Sequence, residues 1–337
     1  MRERRTITVV GCHAGGEVGN VVVGGVPTPP GATVFEQMQS LRADDTLRRF
    51  LLREPRGSVA AHANLLVPAT RDDCDAGYII MEPTEYPAMS GSNTICVATV
   101  LLETGRVVMR EPETTLRLEA PGGVVEVVAT CRGGRCESVE LTNVPCFADR
   151  LDAALEVEGL GTLTVDVAFG GMWYVIADAD ALGFALEPRE ARDLSVAGER
   201  IRAAAREQLS PDVSIVQFAG LWRGVGAVSK NAVVVAPGRL DRSATGTGLS
   251  ARMAALHARG LMQVGDAMTH ASPIGSTFDG RIVAETTVGD RAAIVPAIRG
   301  SAWITGTAQL YVDPDDPFPE GYLLSDTWGV SGADTQV

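Results

Sequence analysis

The sequence predicts a mixed α+β protein built as two pseudo-symmetric lobes, and three observations carry that reading. First, one shift of 155 positions carries Ser90-Gly91 onto Thr245-Gly246 and the closing Gly105 onto Gly260 without a gap. Second, the same shift carries Gly15-Gly16 onto Gly170-Gly171, and the strand-like run Tyr78-Ile79-Ile80-Met81 onto Val233-Val234-Val235-Ala236. Third, a chain of 337 residues with 45% hydrophobic residues, 5% aromatics and 37 glycines holds two ordinary domains rich in strands and turns. An internal duplication is expected to place its function where the two copies meet.

The elements follow in order. Copy one opens with a strand at Thr6–Val10, a Gly-rich turn and a second strand near Val21–Val23. Phe35 to Leu52 has helical periodicity, with Phe35, Met38, Leu41 and the Leu51/Leu52 pair as candidate buried positions. Copy two repeats the plan: Leu163–Val167, the Gly170-Gly171 turn, Trp173–Ala177, and a candidate helix from Glu190 to Leu209 in register with the one at Phe35. Alternating runs at Val124–Val128, Val139–Leu141 and Ala292–Val295 read as further strands. The linker is placed at Asp149 to Gly161. The lobes are taken as residues 1–155 and 156–309, with a tail over 310–337 returning to the first. Prolines after Val312 exclude a helix there, so this stretch is expected to lie over the surface, and Ser331 to Val337 to fray.

Composition narrows the function. A net charge of −13 argues against a nucleic-acid surface but not against a local anion site. No apolar stretch approaches the roughly 18 residues needed to cross a bilayer, and Ile7–Val10 is too short for a secretory core. A cytoplasmic protein is expected. The six cysteines form no CxxC pair and the four histidines show no ligand spacing, so neither disulfides nor a metal is expected. Cys131 and Cys136 flank a Gly-Gly turn, yet nothing near them completes a ligand set.

The two helix starts carry the chemistry. Each has a hydroxyl residue, a glycine and small residues before an apolar helix: Ser90-Gly91-Ser92-Asn93 and Thr245-Gly246-Thr247-Gly248. Buried central helices explain Ile95, Ala98, Leu101 and Leu102 in one and Ala251, Met253, Ala254 and Leu256 in the other. The first N–H groups of a helix have no internal partner and carry positive polarity. Two such starts facing each other would cradle a carboxylate. Taken singly, each hydroxyl reads as an ordinary N-cap. Keeping both in one register is what favours a shared function. Without a GxGxxG, Thr-Gly-Thr-Gly is poor evidence for a dinucleotide site.

With these motifs, His13-Ala14-Gly15-Gly16-Glu17, Ala168-Phe169-Gly170-Gly171, Asp241-Arg242-Ser243-Ala244-Thr245 and Ile274-Gly275-Ser276-Thr277-Phe278, nearly the whole chain resembles the proline racemase family. That family is similar in fold to diaminopimelate epimerase. The resemblance implies two lobes, each a mixed sheet around a central helix, and no cofactor. It suggests a homodimer and a small imino-acid substrate, proline or hydroxyproline. In racemases and epimerases of the family, a cysteine at each helix start exchanges the α-proton. Here those positions are Ser90 and Thr245, and the histidine often found two residues after the first cysteine is replaced by Ser92. Asp241 matches an aspartate that helps hold the ring nitrogen. The amides of Gly91, Ser92, Gly246 and Thr247 match the carboxylate cradle, and Asn93 stands with them among the substrate-binding residues.

A hydroxyl starts far less acidic than a thiol and needs a partner base. Two-base inversion needs a competent group on each face, whereas elimination needs one α-proton abstraction. That asymmetry points towards a dehydratase, and threonine in place of the second cysteine resembles the family's trans-3-hydroxy-L-proline dehydratases. The resemblance thus implies dehydration of trans-3-hydroxy-L-proline to pyrroline-2-carboxylate, with Ser90 accepting the proton or positioning the acceptor and Thr245 hydrogen-bonding the substrate or its departing hydroxyl. The alternatives are hydroxyproline 2-epimerase or proline racemase, and a non-catalytic imino-acid-binding protein. Cys96 reads as a core residue, and His13 and Glu17 as structural.

Overall fold

The computed structural model describes residues 5–313 and 315–328, and the chain forms two compact units. One comprises residues up to Glu140 together with those from Ser301 onward; the other runs from Leu141 to Gly300.

The first unit begins with β1 (Arg5–Ala14) and β2 (Glu17–Gly24), α1 (Val34–Ala43) and α2 (Thr46–Leu52). It continues with β3 (Ala61–Val67), β4 (Ala76–Met81), α3 (Gly91–Glu103), β5 (Glu113–Ala120), β6 (Gly123–Arg132) and β7 (Arg135–Thr142). The second unit holds β8 (Phe147–Val157), β9 (Gly161–Phe169), β10 (Trp173–Asp178), α4 (Ala191–Gln208), β11 (Ile215–Ala219), β12 (Val228–Val235) and β13 (Arg239–Leu240). It ends with α5 (Gly246–Ala258), β14 (Ala267–Ala271), β15 (Thr277–Val288) and β16 (Arg291–Gly300). The chain then returns to the first unit as β17 (Ala302–Val312).

The duplication holds at the level of strand pairing. β1–β2 is antiparallel, β2–β3 parallel and β3–β4 antiparallel, and β9–β10, β10–β11 and β11–β12 repeat that sequence of senses. β4–β5 and β12–β14 are both parallel. β17 and β8 are related by the same shift of 155 positions and lie antiparallel to β1 and β9 respectively. This corrects the sequence-derived division at 155. β8 pairs with β9 along its length, so the supposed linker at Asp149 to Gly161 is mostly strand and belongs to the second unit. β17 pairs with β1 from Ala302, so the returning segment starts before 310.

Each unit wraps its strands around one helix. α3 packs on β1, β2, β3, β6 and β17, and α5 on β8, β9, β10, β15 and β16. A helix covered on most sides has to be apolar all round. Ile95, Val97, Ala98, Val100, Leu249, Ala251, Met253 and Ala255 are all fully buried. Burying one Ile or Leu completely stabilises by about 1.5–3 kcal/mol. Both helices end in the same glycine stop. Gly105 (φ 69) donates to the Leu102 carbonyl while Arg106 donates to Leu101, and Gly260 (φ 70) donates to His257 while Leu261 donates to Leu256. Glycine is favoured there because a side chain is strained at positive φ.

The peripheral helices pack on the outer faces. Val34, Met38, Phe50, Leu51 and Leu52 bury α1 and α2 against β3 and β4. Phe35, expected inside, is 49% exposed, because the helix starts one residue earlier and Val34 takes the inward position. α4 lays Leu194, Ala197, Ile201 and Ala205 onto β11 and β12. After β17 the chain crosses α2: Glu320 pairs with Arg49 at 2.6 Å, Asp316 with Arg56 at 2.9 Å, and Tyr322 N donates to the Glu54 carbonyl. The fraying expected for Ser331 to Val337 lies outside the described residues. Among the described residues, no helix is long and apolar enough to cross a membrane.

Candidate active site

In the first unit, Ser90 stands at the N-cap of α3 in extended conformation, yet its side chain makes no cap bond. Its oxygen instead accepts from Asn93 Nδ2 at 3.0 Å. The first-turn amides of Gly91 and Ser92 are therefore not capped by a side chain, which leaves the anion-binding end of the helix open. Thr94 Oγ1 ties the turn together by donating to the Ser90 carbonyl at 2.7 Å, and Tyr78 OH meets Thr94 Oγ1 at 2.6 Å from β4.

Asn93 is the hub of this start. Its Nδ2 also lies 3.1 Å from His62 Nδ1 and 3.5 Å from Glu82 Oε1, while its Oδ1 accepts from Asn64 Nδ2 at 2.8 Å. His62 Nε2 lies 3.3 Å from Glu17 Oε1. β2 and β3 run parallel with Gly19 beside His62 in register, which sets Glu17, His62 and Asn64 on neighbouring strands. Gly19 has no side chain because α3 comes too close. A Cβ there would sit 2.9 Å from Cys96 Sγ and 3.0 Å from Asn93 Oδ1. An amide nitrogen only donates, so the Asn93 contact assigns His62 Nδ1 as acceptor and the ring proton to Nε2, facing Glu17. Asn93 is 1% exposed and its amide is committed to protein partners. Its side chain holds Ser90.

The second unit builds its start differently. Thr245 caps α5 at φ 56 and ψ 100, a conformation that a β-branched residue rarely adopts, and it also makes no cap bond. Thr245 Oγ1 donates to Asp241 Oδ2 at 2.7 Å. Asp241 is fixed in turn: its N–H donates to the Val233 carbonyl on β12, and its Oδ1 accepts from Ser243 N at 2.8 Å. Ser243 Oγ accepts from Thr245 N at 3.0 Å and closes the loop. This backbone strain is held by surrounding bonds, as is common where a side chain must be aimed.

The rest of the α5 start is packed from below. Thr247 Oγ1 bonds Tyr174 OH at 2.6 Å, and Asn143 Nδ2 donates to Ser250 Oγ and to the Gly170 carbonyl. Gly170 is required by proximity: a Cβ there would lie 2.1 Å from the Thr247 carbonyl oxygen. The repeat shift brings Gln217 onto the His62 position. Gln217 Nε2 donates to Asn231 Oδ1, and Asn231 Nδ2 to the Ala244 carbonyl. Both copies thus place a buried polar side chain from the third strand beneath the helix start, but only the first copy has a titratable one.

The hydroxyls at the two starts are bonded in opposite senses. Ser90 accepts from an amide, and Thr245 donates to a carboxylate. The expectation that Ser90 is the proton acceptor meets a physical obstacle, since among the described residues its side-chain partner is a donor, not a base. No thiol replaces it. Cys96 is fully buried, and burial beside Cys12 raises its pKa well above the usual thiol range. Cys136 is pushed up to about 12 by burial. His13 stacks on Trp303 with ring centroids 5.4 Å apart and accepts from Gly16 N through Nδ1, a structural role for the Gly15-Gly16 turn. Sequence reasoning missed His62 and Glu82, since neither has a motif spacing to Ser90 and only strand register brings them to Asn93. Among the described residues, no group of three or more His, Cys, Asp or Glu side chains is arranged to hold a metal.

Comparison with known proteins adds independent findings. Residues 9–323 match the family model described as proline racemase. A probable proline racemase from Agrobacterium radiobacter K84, solved with bound carbonate, is 41% identical, with 96% of this chain and 98% of that one covered at a TM-score of 0.89. A hydroxyproline epimerase from Agrobacterium vitis, solved with bound trans-4-hydroxy-L-proline, is 40% identical over 98% of this chain and 99% of that one, also at 0.89. The fold alone extends further: a Bacillus anthracis phenazine biosynthesis protein of the PhzF family matches at a TM-score of 0.60 with 12% identity, covering 90% of this chain and 99% of that one.

Proposed function

The chain belongs to the proline racemase family, and we propose that it inverts the C2 centre of a proline-type imino acid, with hydroxyproline as the substrate class. The single observation that carries this is the opposite bonding of the two N-cap hydroxyls, Thr245 donating to Asp241 and Ser90 accepting from Asn93. One start thus holds a hydroxyl with a base attached, and the other a hydroxyl whose conjugate oxyanion is already offered an N–H.

On this reading each helix start offers its first-turn amides to a substrate carboxylate, Gly91 and Ser92 in the first unit and Gly246 and Thr247 in the second. Asp241 retains lone pairs for the ring ammonium, since a carboxylate offers about four acceptor sites and two are used. The Cα–H bond breaks as its proton passes to Thr245 Oγ1 and the Thr245 proton passes to Asp241 Oδ2. The electron pair moves into the substrate carboxylate, where the helix starts stabilise the developing charge. The Ser90 hydroxyl delivers its proton to the other face of the α-carbon, and Asn93 Nδ2 stabilises the oxygen left behind. Asp241 Oδ2 then releases its proton to solvent and solvent returns one proton to Ser90, so both groups and the water end as they began. Asn93 and His62 are positioning residues in this scheme.

A second reading, elimination of water from a 3-hydroxyproline, is favoured by the absence of a thiol at either start. A hydroxyl acid at Ser90 can protonate a departing hydroxide as well as an α-carbon. Proton NMR of the enzyme in deuterated water with L-proline, trans-4-hydroxy-L-proline and trans-3-hydroxy-L-proline tests both readings. Inversion predicts loss of the C2–H signal and growth of the C2 epimer with the ring hydroxyl retained. Pyrroline-2-carboxylate from the 3-hydroxy isomer alone would replace the first reading by the second. Thermal stabilisation by these imino acids without exchange or product would make the chain a silent binder.

A further inference from the structure

A cavity of about 630 Å³ lies wholly within the second unit, far along α5 from its start. Its wall carries Arg252 and Arg259, Asp152, Asp166 and Asp178, with apolar surface from Ile176, Leu182, Trp222 and Leu256 among others. A helix rises about 1.5 Å per residue, so Arg252 stands about 10 Å and Arg259 about 20 Å from Thr245. None of the residues assigned to the reaction lines it.

The charges in this cavity divide into a closed set and an open one. Arg259 donates to both oxygens of Asp166 at 2.7 Å and to Asp152 at 2.6 Å, which completes that group. Arg252, two turns earlier on the same helix, is treated differently. Its Nε is buried without a hydrogen-bond partner, and among the described residues the guanidinium forms no ion pair. Burial pulls its pKa down, and the attraction of Asp166 and Asp178 only partly opposes this. Asp178 spends Oδ1 on the amides of Asp180 and Ala181 at the cavity rim. A largely buried guanidinium with no directly bonded counter-ion is costly unless something supplies one.

We propose that this cavity is a second small-molecule site, which binds a zwitterionic amino acid with an apolar side chain. Its carboxylate pairs with Arg252, its ammonium turns to Asp178, and its side chain lies on the apolar wall. The charge pattern selects the class: one open cation and one open anion match a zwitterion, and three aspartates against two arginines repel a dianion such as phosphate. The volume falls in the range of ordinary ligand pockets. A ligand held by Arg252 touches the helix whose first turn presents Thr245, so the site is placed to act as an effector site. The binding itself does not depend on which reaction the enzyme performs.

Isothermal titration of the full chain with L-leucine tests this, with isovalerate, isoamylamine and inorganic phosphate as companions. Saturable one-site binding of L-leucine is expected in the millimolar range or tighter. Arg252→Gln should weaken it at least tenfold. Asp178→Asn should weaken L-leucine severalfold while leaving isovalerate within about twofold, and Ala181→Trp, which fills the cavity from its rim, should abolish both. Ser90→Ala should bind L-leucine like the wild type, which separates this site from the reacting one. No saturable heat with the wild type, equal affinity for phosphate, or unchanged binding in Ala181→Trp would overturn the proposal. If Arg252→Gln does not fold, Asp178→Asn and Ala181→Trp decide the outcome.

Discussion

Thr245 Oγ1 donates to Asp241 Oδ2 across 2.7 Å, although Thr245 stands at a helix N-cap where its hydroxyl ordinarily bonds its own first turn. The hydroxyl has been turned away from the helix and given to a carboxylate, at the cost of a positive φ.

Substitution at 245 separates function from strain. Thr245→Val keeps the shape and removes the donor. Turnover should fall by about 10²-fold or more, the scale of a lost acid–base group, and stability by about 1–2 kcal/mol because a buried acceptor loses its partner. Thr245→Gly should lose turnover equally yet unfold at a higher denaturant concentration than Thr245→Val, because glycine relieves the strain at φ 56. Denaturant titration beside a turnover assay checks both. A Thr245→Val enzyme with near-normal turnover would remove the hydroxyl from the reaction.

The Asn93 hub makes a different demand. Asn93→Leu removes one buried hydrogen bond from each of Asn64 and His62, so a loss of about 2–4 kcal/mol is expected. His62→Gln, which keeps a hydrogen-bonding side chain, should lower kcat with little change in KM. That split identifies a group acting through Ser90 rather than on the substrate. A large rise in KM with kcat preserved would place His62 in substrate binding instead.

Much of this architecture was legible in the sequence, and the reason is physical. A duplicated chain repeats its punctuation, so Gly105 and Gly260 mark equivalent helix stops and Gly15-Gly16 and Gly170-Gly171 equivalent turns. The paired starts at Ser90 and Thr245 followed from the same register. The bonding sense of each hydroxyl did not, because it depends on residues brought in by strand pairing: Asp241 lies close in sequence to Thr245, but His62 and Glu82 reach Asn93 only through β3 and β4. The division at 155 failed for a similar reason. β8 and β17 are equivalent strands at different ends of their units, and sequence order hides a strand that is supplied from the far terminus.

The Gly170 turn is held to its residue type by proximity rather than by dihedral angle. A Cβ would meet the Thr247 carbonyl oxygen at 2.1 Å and the Ala251 nitrogen at 2.5 Å, both helix backbone that cannot yield cheaply. Gly170→Ala should therefore destabilise the protein by about 3 kcal/mol or more and lower activity through the displaced α5 start. Differential scanning calorimetry and the exchange assay read the two effects. An alanine variant with unchanged Tm would show that the turn yields freely.

Acid stability should carry the signature of His270. It is fully buried on β14, and burial, with Arg252 adding to it, lowers its pKa from 6.5 to about 3. The unfolded chain binds this proton at a higher pH than the folded one. Stability from neutral His270 is thus complete above about pH 6.5 and is lost as the pH falls towards about 3, with a slope of up to about 1.4 kcal/mol per pH unit. Urea midpoints measured across that window should fall, and His270→Gln should flatten the dependence. An identical slope in the variant would assign the acid lability to other groups.

The most direct test of the central assignment, Thr245 with Asp241 as base and Ser90 as acid, is C2 proton exchange by Ser90→Ala in deuterated water. Each C2 epimer of 4-hydroxyproline is supplied separately and followed by NMR. The assignment predicts exchange without inversion for the epimer whose C2–H is presented to Thr245, and neither exchange nor inversion for the other. Inversion at the wild-type rate, or equal exchange from both epimers, would contradict it.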